Sequence, residues 1–133
     1  FEPNFISPGT LAAAGLYAPE FQIITDTTAI SIPNQLWNYI YFTRSTTNLA
    51  EATIGLDLTG LLPLARTPAA LIDQANLILA AGSLPKAVTD RLVAAITAMP
   101  AGTTTTINAA ADIERVRSAI YLTASVPQGA VQK

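Results

Sequence analysis

The chain has 133 residues and a net charge of -2, is half apolar, and carries 12% charged side chains against roughly 25% in an average soluble domain. That length and apolar content suit one domain with a real core and exclude general disorder. The seven scattered basic residues exclude the phosphate-neutralising stripe that a nucleic-acid partner requires, and no apolar run reaches the ~20 residues of a membrane-spanning helix.

Residues 1–18 read as an ordered, extended approach punctuated by Pro3, Pro8 and Gly9, with one helical turn in TLAAAG closed by Gly15. Pro19 and Glu20 suit a first helical turn. Pro33 is expected to break that helix or restart it, so residues 19–42 read as a broken helix. Leu36, Trp37, Ile40 and Tyr41 then fall at helical spacing, with Trp37 as a core anchor. Residues 43–66 mix periodicities around two glycines and Pro63 and read as an irregular connection.

The second half is better punctuated, and residues 67–133 read as a three-helix region. Thr67 serves as N-cap, Pro68 as first helical residue and Gly82 as the stop. Leu71, Ala75 and Ile78 form an inward stripe, flanked by Ile72 and Leu79. Ser83 caps the next helix, whose inward residues are Val88, Leu92, Ile96 and Met99, and Pro100 ends it. The last helix starts from Asn108 and buries Ile113, Val116 and Ile120. The whole is an all-α domain, an irregular bundle of about four to five helices preceded by an extended N-terminal loop, its final helices joined by short links and hence neighbours in space.

Candidate chemistry is sparse. Without histidine or cysteine, the commonest metal ligands, general base and pH switch are missing, and no Ca²⁺-loop or phosphate-cradling glycine pattern is present, so no metal or cofactor is expected. Ser83-Leu-Pro-Lys86 has the S-x-x-K spacing in which a lysine activates a serine. A helix cap followed by a solvated lysine explains it better. Asp112 and Arg115, and Glu114 and Arg117, are i,i+3 pairs of the kind found on a solvated helix face.

The phrase SPGTLAAAGLYAPEFQI (residues 7–23) resembles a stretch near the C-terminal end of a large bacterial family called domain of unknown function 1800. The matching residues are Ser7-Pro8-Gly9, Ala13-Ala14-Gly15-Leu16 and Ala18-Pro19-Glu20-Phe21-Gln22. The close, RVRSAIYLTASVPQGAVQK, is similar to that family's terminal helix and Ser-Pro-Glu-Tyr-x-x-Gln-Arg tail, with Val126, Gln128-Gly129 and Lys133 as departures. Pro33 departs too, where the family writes an uninterrupted helix. The resemblance implies the C-terminal part of a longer, exported protein, periplasmic or extracellular, packed on a helical body. Phe1, Phe5, Tyr17 and Phe21 are then the expected contacts with that body or with another protein.

Three functions follow as expectations. The first is a non-catalytic helical module that completes a parent fold or binds a partner. The second is part of an enzyme site shared with a preceding portion, drawing on Glu20, Asp26, Glu51 or Asp57. The third is a carbohydrate- or polymer-binding surface built on Trp37, Tyr39 and Tyr41.

Overall fold

The computed structural model describes residues 2–17, 19–22, 26–42, 55–103 and 110–126, with the side chains of Glu20 and Asp26 excepted. Within them lie five α-helices and no strand: α1 (Thr10–Ala13), α2 (Asp26–Tyr41), α3 (Pro68–Ala80), α4 (Lys86–Ala98) and α5 (Ala110–Ser125). Short 3-10 turns occupy Pro19–Gln22 and Leu62–Leu64. None of these helices is long and apolar enough to cross a membrane. The expected start of the last helix at Asn108, and the tail beyond Val126, lie outside the described residues.

The chain divides into two units, residues 1–35 and 36–133. In the first, the single turn α1 forms where TLAAAG placed it, and Gly15 follows it at φ 64°. Gln22 ties down the start of the chain: its side-chain oxygen accepts from the Glu2 amide at 3.1 Å, and its Nε2 donates to the Glu2 carbonyl at 2.7 Å. The expected break at Pro33 does not occur. Helix α2 runs through it, so Pro33 leaves one carbonyl of the preceding turn without its helical donor rather than ending the helix.

In the second unit α3, α4 and α5 pack on one another. Helix α4 presents the expected face, with Leu92 and Ile96 buried and Val88 and Met99 against the core. Helix α5 contributes Val116 and Ala119, with Ile120 packed against them. Ile113 is only half-buried. On α3 the inward arc is Leu71, Ile72, Ala75, Asn76 and Ala80. Ile78 and Leu79 therefore do not belong to the core stripe; both face water. The arc follows 3.6-residue periodicity through a polar residue, Asn76, which an apolar stripe skips.

Asn76 is also the pivot of the α3–α4 link. Its carbonyl accepts from the Gly82 amide at 3.0 Å, and its side-chain Oδ1 accepts from the Leu84 amide at 3.2 Å. Leu84 is thereby buried beside the core. Ser83 is not the cap of α4: Pro85 occupies the N-cap position with extended backbone, and no side chain bonds the helix start. A proline there already brings the chain in extended, so the serine lies two residues short. The stop of α3 comes one residue before the expected Gly82: Ala81 is the C-cap and already left-handed, at φ 50°, and Gly82 follows at φ 71°.

The connection read as irregular has structure where it is described. Leu58, Leu61, Leu62 and Leu64 pack on the three-helix core and Ala65 is fully buried, so residues 58–65 form a lid.

A left-handed alanine costs about 1–2 kcal/mol that glycine avoids, against roughly 0.5–1 kcal/mol of extra chain entropy for glycine. Ala81→Gly is expected to raise stability by about 0.5–1 kcal/mol, read as a higher urea midpoint at unchanged slope.

Candidate functional site

The charged residues of α5 do not form a solvated face. Asp112 is 0% exposed and Arg115 is 6% exposed, and the pair expected between them is replaced by bonds to distant parts of the chain. The Asp112 carboxylate receives Arg66 Nε at 3.1 Å, Arg66 Nη2 at 2.8 Å and the Gly102 amide at 3.1 Å. This is a forked, charge-assisted arrangement, the strongest geometry open to an arginine and a carboxylate. It also raises the Arg66 guanidinium above its ordinary value, chiefly through the hydrogen bond it donates to Asp112.

Arg115 works on carbonyls instead. Its Nε donates to Met99 at 3.2 Å and Pro100 at 3.0 Å, its Nη2 to Met99, and its Nη1 to Ala65 at 3.3 Å. Met99 is the C-cap of α4, so a cation sits where the helix dipole leaves partial negative charge. Together Arg66, Asp112 and Arg115 bind the lid, the end of α4 and α5 to each other. The hydrogen bonds described for these three side chains all run within the chain.

Among the described residues the other carboxylates bring no acid–base pair together. Asp57 is exposed and accepts from the Thr59 amide at 2.9 Å and hydroxyl at 2.6 Å. The hydroxyl first, and then the amide, hold its pKa below the ordinary carboxylate value. This is a local turn bond of the kind aspartate makes to the backbone two residues on. Glu51 lies outside the described residues, as do the side chains of Glu20 and Asp26. Lys86 donates to both Asp90 oxygens, at 2.7 and 2.8 Å, which is the solvated i,i+4 pair of a helix surface and not a partner for Ser83. Among the described residues no group of histidine, cysteine and acidic side chains is arranged to hold a metal.

The aromatic residues do converge. Trp37 stacks on Tyr41 with centroids 3.7 Å apart and planes 17° from parallel, and meets Tyr121 of α5 edge-on at 5.4 Å. The Tyr41 hydroxyl shares a 2.8 Å hydrogen bond with Ser118, and the Arg117 guanidinium lies 5.9 Å from the Tyr41 ring centre. Such contacts are worth roughly 0.5–1.5 kcal/mol each. Trp37 is not the expected core anchor, since it remains 41% exposed. Nor do Trp37 and Tyr41 lie side by side as a stacking platform for a sugar: each covers a face of the other, and Tyr39 is exposed. The expected Glu114–Arg117 surface pair gives way here too, both residues being half-buried beside Tyr41.

The expected docking residues are placed unevenly. Phe5 and Phe21 are half-buried, Tyr17 is exposed, and Phe1 lies outside the described residues. Sequence reasoning missed a larger apolar feature. On α3, Leu77 and Ile78 are each 60% exposed and Leu79 is 39% exposed; by helical spacing Leu77 lies opposite the buried arc, Ile78 at its edge and Leu79 on its line in the last turn. Its signal was available: in PAALIDQANLILA the apolar residues exceed what one face can hold.

No known protein family, curated protein or solved structure matches the chain.

Two outcomes follow from this geometry. Asp112→Ala is expected to cost about 3 kcal/mol, near the low end for a broken buried ion pair because Arg66 can turn to solvent; the unfolding midpoint measures it. Burial, ahead of the neighbouring Glu114 charge, pushes the Tyr41 hydroxyl above its ordinary pKa of 10.0. A raised acid binds its proton more tightly when folded, so its contribution is complete below the unfolded pKa and is lost as pH rises through the folded one. The difference in tyrosinate absorbance between wild type and Tyr41→Phe is expected to show this midpoint above pH 10, with stability falling across it.

Proposed function

We propose that the chain is a non-catalytic helical module that docks against a larger protein surface, in the manner the resemblance implies for the last part of an exported parent. The observation that supports this reading is the apolar surface that the last turns of α3 expose. That helix satisfies its core with Leu71, Ile72 and Ala75, yet leaves Leu77, Ile78 and Leu79 exposed, spread around the helix rather than along one face. A helix apolar around its girth belongs inside a larger assembly, and exposed apolar surface marks an interaction site. Ile30 of α2, 69% exposed, adds to the apolar surface of the first unit. The non-catalytic part of the reading rests on the use made of the buried charges. Asp112 and Arg115 are occupied in joining the lid, α4 and α5.

The test is native mass spectrometry on natural source material, followed by denaturation. The chain is expected to travel with a larger body and separate only when denatured. Leu77→Gln with Ile78→Gln is expected to abolish that association while changing the stability of the chain by no more than about 0.5 kcal/mol, as exposed positions do. A chain that runs alone as a stable monomer, or a double variant that unfolds the domain, would sink the proposal.

A further inference from the structure

The three-helix core closes without α2. Its cluster of buried residues comes from the lid, α3, the α3–α4 link, α4 and α5, and contains no residue of α2. Within the second unit, Leu36–Tyr41 is joined to α5 by different means. The described contacts are the Trp37–Tyr41 stack, the edge of Tyr121, the Tyr41–Ser118 hydrogen bond and the Arg117 guanidinium near the Tyr41 ring. Tyr121 itself is outside the core cluster. Water can replace the Ser118 bond at little cost, because a hydrogen bond at a half-buried site trades one polar partner for another. Only Ile40 is buried among the described side chains of α2, while Tyr39 and Phe42 remain exposed.

Segments with few buried apolar contacts open at lower free energy than the core they adjoin. We propose that Leu36–Phe42 is a releasable clasp, which opens from α5 while the α3–α5 core stays folded. Opening separates Trp37 and Tyr41 from Ser118 and Tyr121, and leaves the Arg66–Asp112 and Arg115 bonds in place.

Trp37 is the only tryptophan, so its emission reports the clasp alone. The test is a urea titration of the full chain, reading Trp37 emission alongside amide exchange of Leu71–Asn76 in α3. The Trp37 midpoint is expected to lie below the α3 midpoint and to have the smaller slope, as a smaller exposed area requires. Tyr121→Ala is expected to lower the Trp37 midpoint by roughly 0.5 M while leaving the α3 midpoint unmoved. Ser118→Ala gives a milder second variant with the same pattern. Coincident wild-type midpoints, a Trp37 transition that follows the core, or variants that move both probes equally would each overturn the proposal.

Discussion

Asp112 brings a carboxylate into the interior, where an unpaired charge would be far more expensive than the domain could sustain. Two nitrogens of Arg66 and the Gly102 amide answer it. Because those partners lie 46 and 10 residues away, satisfying one charge fixes the lid and the segment after α4 against α5. Arg115, one turn further along α5, repeats the logic with carbonyls of Ala65, Met99 and Pro100. The lid owes its position to both: leucines 58, 61, 62 and 64 supply apolar cover, while Arg66 and the Ala65 carbonyl set where that cover sits. Hydrophobic burial drives the collapse without selecting one arrangement. The polar bonds at Ala65 and Arg66 favour one seat for the lid.

The α3–α4 hairpin uses a cheaper device for a shorter span. Asn76 supplies its own carbonyl and its side-chain oxygen to two amides of the link, so one buried polar residue closes the turn and seats Leu84 in the core. The left-handed backbone at Ala81 is held by this closure, a local strain tolerated because the surroundings determine it. Buried polar side chains in this protein thus serve connections between segments. Apolar side chains fill the space between them, and some are left over on the outside of α3.

What the sequence makes legible and what it hides have a common cause. The Thr67-Pro68 start, the Gly82 stop and the inward face of α4 are local signals, carried by residues within a turn or two of each other. Ser83 misled because Pro85 could itself begin α4, and Pro33 misled because a helix can run through a proline at the loss of one bond. The buried role of Asp112 and Arg115 is invisible to local reading. Their i,i+3 spacing describes a surface pair equally well, and the deciding partners lie elsewhere in the chain. The α3 stripe held at Leu71, Ile72 and Ala75 and erred only at Ile78 and Leu79: with apolar residues around the helix, spacing alone cannot say which of them stay exposed. For the candidate site, Trp37 and Tyr41 were legible as neighbours on one helix, but the stack between them and the edge of Tyr121 were not.

Placing Asp112 and Arg115 inside has a colloidal consequence. A chain with only 12% charged residues withdraws two of them from its surface, and Lys86 and Asp90 neutralise each other on what remains. Such a surface projects little electric field, so it cannot steer a partner from a distance or be strongly tuned by ionic strength. An encounter without electrostatic steering runs at about 10⁵–10⁶ M⁻¹s⁻¹. Any selectivity in what this protein binds therefore has to be made at contact, by the fit of apolar side chains and the lifetime of the complex.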